Sequence, residues 1–317
     1  MPELPEVEVV RRGITQNLLN STIHSVEVLD PRSLRRHLGG THDFSARLAG
    51  CSVVDVARRG KYLWLLLRDT SGDLLDEALV VHLGMSGQIL LKAADFPDEK
   101  HLKIRCVVRR PDGEMIQLRF VDQRIFGGMF LSPLIAVHDE SGKLAPASVA
   151  STLAEPLIPQ AVAHIARDPL DPYFSEQEFR AKLRKTSSGI KRLLLDQSVI
   201  SGVGNIYADE ALWFAKLHYA KPAHRLTLPQ TRTLLEGIRQ VMGQALEAGG
   251  TSFDALYVNV NGESGYFDRS LNAYGQAGKP CRRCAKLGRT SMIVREPFMN
   301  RSSFRCPYCQ RAPRISA

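Results

Sequence analysis

Met1-Pro2-Glu3-Leu4-Pro5-Glu6-Val7-Glu8 opens the chain, and the reading of these residues sets the terms for everything after them. Val7, Val10, Ile14 and Leu18 follow at near-helical spacing and Pro5 suits a first helical turn, so a helix is predicted to begin here. Glu3 and Glu6 would both sit near its start, where the helix dipole favours negative charge. That alone accounts for them. A chemical reading stands beside it. Pro2 has a small side chain, so removal of the initiator methionine would leave a secondary amine beside a carboxylate. An α-amino group titrates near about 7.7–8.0 against about 10.4 for lysine, so more of it is nucleophilic at neutral pH. After attack on a sugar C1′ it would become an iminium, a good electron sink.

Beyond this helix, residues 23–29, 51–57, 62–67, 79–83, 88–92, 102–109 and 115–120 are short runs rich in Val, Ile, Leu and Phe. Turn residues such as Arg59-Gly60, Ser71-Gly72-Asp73 and Pro111-Asp112-Gly113 separate them. They predict a β-sandwich or barrel-like domain over 1–150, with a Pro-rich linker from about 132 to 172 and a short helix near 160–166. The period then becomes helical. Ser175 to Glu178 and Thr227 to Gln230 fit capping boxes, and helices are expected around Ile190–Leu194 and over 205–216. Gly249-Gly250 stops the last of them. A mainly helical domain over 151–275 and a small module over 276–317 complete an α+β multidomain chain.

The 317 residues are 44% hydrophobic, enough for more than one core. With 42 Lys and Arg against 33 Asp and Glu, the net charge is +9 and the pI about 9.4, which favours a polyanionic partner. No apolar run approaches the roughly 20 residues of a membrane span, and the acidic start is unlike a signal peptide. A cytoplasmic protein without a membrane partner is expected. Cys51 and Cys106 lie in strand-like apolar surroundings and read as core thiols.

Cys281, Cys284, Cys306 and Cys309 form two CxxC pairs, each able to offer two thiolates to one tetrahedral Zn²⁺. Four thiolates leave no position for water, so the ion would be structural. Lys286, Arg289, Arg295, Arg301 and Arg305 make this module basic, as a phosphate probe or as a solvated charged loop. Gly202-Val203-Gly204-Asn205 opens a helix, and helix N-termini bind phosphate, although turn glycines need no such role. By burial tendency alone Met85 and Phe126 read as core, and Arg58-Arg59 before Gly60-Lys61 as a plain basic turn.

These pieces coincide with one family. MPELPEVE at 1–8, RRGKYL at 58–63, HLGMSG at 82–87, DxRxFG at 122–127, LLLDQSVISGVGNIYADEALW at 193–213, YVNVNGESGYF at 257–267 and the four-cysteine hairpin resemble the bacterial formamidopyrimidine-DNA glycosylases. That family removes oxidised purines from DNA and cuts at the abasic site. The resemblance implies Pro2 as the nucleophile, Glu3 as acid and base, and Glu6 in support. Lys61, His82, Asn205 and Arg301 would grip phosphates around a flipped nucleotide. Met85, Arg124 and Phe126 would fill the gap it leaves. The implied partner is double-stranded damaged DNA, the implied cofactor one structural zinc, and the working form a monomer.

Three departures stand out. The gap between the cysteine pairs is long for the family, so Arg295 competes with Arg301 for the hairpin tip. The 132–172 linker is enlarged, and no lysine lies between Thr251 and Gly275, where the resemblance to some members would place one near the lesion. Two alternatives remain: an endonuclease VIII-type enzyme for oxidised pyrimidines, which Leu4 and the 257–267 loop disfavour, and a non-catalytic zinc DNA-binding protein, which Pro2, Glu3 and Glu6 together disfavour.

Overall fold

In the computed structural model, which describes residues 2–138, 144–148, 156–250, 259–263 and 270–313, the first helix is α1, Leu4–Leu18. The apolar stripe that predicts it, Val7, Val10, Ile14 and Leu18, is at most 2% exposed. The strands that follow are β1 (Thr22–Val28), β2 (Ser52–Arg59), β3 (Tyr62–Arg68), β4 (Leu74–His82), β5 (Gly87–Ala93), β6 (Leu102–Arg109), β7 (Met115–Asp122), β8 (Gly128–Ala136) and β9 (Leu157–Pro159). They form an antiparallel sheet in the order β5-β7-β6-β1-β2-β3-β4-β8-β9.

One pair, Thr22 opposite Ser52, joins β1 to β2, so the sheet is in effect two half-sheets. Leu63, Leu65 and Leu67 from one half and Ile104, Cys106 and Val108 from the other enter a single core with α1. This is the expected sandwich. Cys51 and Cys106 are buried in it, and burial pushes the Cys106 thiol up to about 12, which leaves it inert.

Four elements differ from expectation, one of them β9, which lies wholly within the predicted linker. A helix absent from the sequence reading, α2 (Gly40–Leu48), buries Phe44 and Leu48. Strand β8 runs four residues past the predicted start of the linker, and Pro133 is tolerated opposite Glu77, just before the ladder to β9 begins at Leu134. The helix expected at 160–166 is a single 3-10 turn, Gln160–Val162.

The helical part comprises α3 (Glu176–Arg184), α4 (Ile190–Leu195), α5 (Asn205–Phe214) and α6 (Leu228–Glu247). At Thr227 the capping box forms, with Thr227 and Gln230 exchanging hydrogen bonds, and at Ser175 the hydroxyl caps α3 by accepting from the Glu178 N–H. Strands β10 (Val294–Phe298) and β11 (Arg301–Arg305) make a hairpin with Met299-Asn300 at its tip.

The chain folds as two compact units, Met1–His164 with Ala248–Tyr266, and Ile165–Glu247 with Phe267–Ala317. The hairpin module thus shares a unit with the helices, while Val260 returns to the first core and receives the Leu91 N–H on its carbonyl at 2.8 Å. Among the described residues no helix is long and apolar enough to cross a membrane.

Candidate active site and nucleic-acid interface

In the first unit, Pro2 is buried directly before α1. Glu3 is the N-cap in extended conformation, and a capping box ties it to Glu6: the Glu3 N–H donates to Glu6 Oε2 at 2.9 Å. Glu3 and Glu6 are 2% and 7% exposed, so the box orients two carboxylates away from bulk water. Gly250, at φ +93°, lies against Glu6; a Cβ there would stand 3.6 Å from Glu6 Cγ and Oε1.

One turn further along α1, Glu8 binds Arg11 and Arg58. Burial works to raise the Glu8 carboxyl, but the Arg11 hydrogen bond and the Arg58 and Arg11 charges overcome it and hold the group at about 2. Arg58 also donates to the Gly60 carbonyl. The β2–β3 turn that carries Lys61 is thereby fastened to the helix that Pro2 precedes. That turn is a two-residue loop, Gly60-Lys61, and Gly60 supplies the positive φ of +57° that such hairpins require. Lys61 is 7% exposed.

His82 ends β4 opposite Tyr62, the residue after Lys61, and the two rings lie 4.6 Å apart. Burial, together with the positive charges of Arg36, Lys61 and Arg35, lowers its pKa to about 4, so the imidazole is neutral at pH 7. Its shielded Nδ1 has no partner among the described residues.

Met85, Arg124 and Phe126 sit on two loops joined to each other. Gly84, at φ +64°, passes so close to Phe126 and Gly127 that a Cβ would meet the Gly127 nitrogen at 2.3 Å. Buried Asp122 accepts from Ser86 Oγ, from the Arg124 N–H and, at 2.8 Å, from the Gly127 N–H. Ile125 is held at φ +54°, an uncommon conformation for a β-branched residue. Arg35 clamps it by donating to the Ile125 and Phe126 carbonyls at 2.6 and 2.5 Å. The loops present Phe126, 48% exposed, under the Arg124 guanidinium at 5.2 Å, with Met85 half-buried. The core placement that burial tendency suggests for Phe126 does not hold.

In the second unit, Gly202 takes φ +84° and Gln197 braces the turn before α5 through the Gly202 N–H and the Val203 carbonyl. Asn205 is the first residue of α5, and its Nδ2 donates to the Ser302 carbonyl at 3.0 Å. Arg301, exposed, is the first residue after the hairpin tip; Arg295 lies inside β10 opposite Phe304 and donates to Ser302 Oγ. A buried ion pair fastens helix to hairpin. Lys191 Nζ meets Asp209 Oδ1 at 2.6 Å, and Asp209 also accepts from Ser303 Oγ and the Phe304 N–H. Burial raises the Asp209 carboxyl to about 6 against the opposing pull of Lys191. Glu210 next to it gathers the N–H groups of Asn272, Ala273 and Tyr274.

Cys281, Cys284, Cys306 and Cys309 place their sulfurs within 4.8 Å of one another. Zn–S bonds of about 2.3 Å in a tetrahedron require sulfurs about 3.8 Å apart. Cys284 lies 3.7 Å from Cys306 and 3.4 Å from Cys309, so the cluster suits one such ion and is far from disulfide distance. Trp213 Nε1 and the Cys309 N–H point at Cys281 and Cys306 sulfurs, as donors to thiolates would.

Arg35, the Glu8 network, Lys191, Asp209 and Glu210 escape the sequence reading. Only Glu8 and Arg11 leave a signal, an acidic and a basic residue three apart on one helix. Of the 251–275 loop, residues 251–258 and 264–269 lie outside the described residues.

Fold and presented side chains together define a DNA glycosylase of base-excision repair. The model for the formamidopyrimidine-DNA glycosylase N-terminal domain matches residues 1–129 and that for its H2TH domain residues 165–256. Formamidopyrimidine-DNA glycosylases of Kineococcus radiotolerans and Streptomyces coelicolor are 56% and 55% identical, over 99% and 100% of both chains. The Lactococcus lactis Fpg in complex with DNA containing an abasic site superposes with a TM-score of 0.77 at 30% identity, covering 98% of this chain and 100% of that one. Its complex with N7-benzyl-Fapy-dG DNA gives 0.78. The chain belongs to the formamidopyrimidine-DNA glycosylase family.

Proposed function

We propose that this enzyme excises oxidised purines, 8-oxoguanine and formamidopyrimidines, from double-stranded DNA and then cleaves the abasic strand by β,δ-elimination. The observation that carries the reading is the buried Pro2-Glu3-Glu6 arrangement at the start of α1. Once Met1 is removed, the Pro2 amine attacks C1′ and the base leaves. Glu3 protonates the ring oxygen as the sugar opens to an iminium, and Glu6 fixes the Glu3 backbone. Loss of a C2′ proton expels the 3′ phosphate; a second elimination expels the 5′ phosphate, and water frees the proline.

Extruding a nucleotide costs a few kcal/mol. Met85, Arg124 and Phe126 offset it by filling the gap with a thioether, a guanidinium and a ring. Lys61, Asn205 and Arg301 grip the flanking phosphates. His82 contributes as a neutral hydrogen-bonding group rather than a charge. One zinc, held by Cys281, Cys284, Cys306 and Cys309, shapes the hairpin. The functional parts are thus a catalytic region over 1–150, a helix-two-turn-helix region with a lesion loop over 151–275, and the zinc hairpin over 276–317. The enzyme acts as a cytoplasmic monomer.

Matched duplexes carrying 8-oxoguanine opposite cytosine or thymine glycol test the substrate class. The 8-oxoguanine strand should be cut faster, leaving phosphates on both ends of the gap. Preference for thymine glycol would transfer the enzyme to the oxidised-pyrimidine class.

A further inference from the structure

A groove of about 530 Å³ lies between α3 and the first turn of α6. Arg180 and Arg184 lie along it with Arg232 and Glu176, and Ala181 and Leu228 provide apolar surface. Glu176 is committed to Arg232 at 2.9 Å. Arg184 makes no ion pair among the described residues, and the shielded Arg180 Nε has no hydrogen-bond partner there. The groove therefore offers two uncompensated guanidiniums beside an apolar seat. α6 also begins at it, with Leu228 as its first residue, so one positive helix end adds to the field.

Its position argues against DNA as the occupant. Lys182, on the same helix, donates to the Ser198 carbonyl in the turn before α5. At about 100° per residue, Arg180 and Arg184 stand roughly 160° to 200° around α3 from Lys182. The groove thus faces away from the turn that leads into Asn205. We propose that it docks an acidic peptide segment of a partner protein, extended, with two carboxylates and a large apolar side chain. The Cβ atoms of Arg180 and Arg184 are about 5–6 Å apart, and alternate residues of a strand about 6.6 Å, so acidic residues at i and i+2 match them. An aromatic residue at i+4 then reaches Ala181 and Leu228.

A fluorescein-labelled peptide containing Asp-Ser-Asp-Ser-Phe, titrated by anisotropy against the full zinc-loaded chain, tests this. Binding is expected at low salt, weakened at least about tenfold in the Arg180→Glu/Arg184→Glu double variant and severalfold in Leu228→Ala or when the peptide's Phe becomes Ser. Affinity of these variants for an abasic duplex should match that of the parent, which shows that they fold. Excess abasic duplex should leave the peptide bound. The proposal fails if the peptide does not bind, if charge reversal or loss of either apolar partner leaves its affinity unchanged, or if duplex DNA displaces it and claims the groove for itself.

Discussion

The loops of the first unit that carry Met85, Arg124 and Phe126 and the hairpin of the second hold their backbone in two different ways. Each presents side chains from a tight turn containing a non-glycine residue at positive φ, Ile125 at +54° and Met299 at +53°. Each is anchored by one buried aspartate. Among the described residues Asp122 gathers only neutral donors: the N–H groups of Arg124 and Gly127, two and five residues away, and Ser86 Oγ, 36 residues away. Asp209 holds a lysine and reaches Ser303 and Phe304, 94 and 95 residues away. The anchor built from neutral donors has no charge partner, whereas the other joins two elements with a buried ion pair and the module beyond it adds four clustered cysteines.

On that contrast, withholding zinc from the four cysteines should have the largest effect. Chelation, or Cys284→Ser with Cys309→Ser, removes binding energy on the order of 10–16 kcal/mol and should melt residues 281–309 with loss of duplex affinity. A chelated protein that binds duplex normally would break the contrast. Next, Asp209→Ala strands the Lys191 charge and should cost about 3–5 kcal/mol in urea unfolding. Asp122→Ala should cost less, about 1–3 kcal/mol, because it strands only neutral groups; the reverse order would overturn the distinction.

Glu8 offers a third anchor that titrates. Its folded pKa of about 2 lies below the ordinary 4.5, so its contribution is present above pH 4.5 and lost as pH falls towards 2. The difference amounts to about 3 kcal/mol, and Glu8→Gln should flatten acid unfolding over that window. The smallest effect belongs to Met299→Gly. Met299 is 65% exposed, so relief of its left-handed backbone should stabilise the hairpin by up to about 1 kcal/mol, seen as a higher Tm. A lower Tm would mean that the turn is not strained.

Much of this architecture is legible in the sequence because the signals are local. The helix caps at Ser175 and Thr227, the alternation of β6 and the spacing of the four cysteines each rest on neighbours within a few residues. What stays hidden depends on distant partners. Arg35 reaches carbonyls 90 and 91 residues on, and Lys191 finds Asp209 only after α4 and α5 pack. Pro133 masks strand β8, because its usual meaning as a break is overridden by pairing with β4 on one side and β9 on the other. Burial tendency misplaces Phe126, whose exposure comes from the backbone twist at Ile125 and is not announced by its own residue type.

The central claim is that the amine of Pro2 forms the covalent bond to DNA. Borohydride reduction during turnover of an 8-oxoguanine duplex, followed by proteolysis and mass spectrometry of the cross-linked peptide, tests it directly. The expected product is a chain beginning at Pro2 with the sugar remnant on its nitrogen, and no cross-link when Met1 is retained. A cross-link that persists with Met1 in place, or that maps to a lysine, would contradict it.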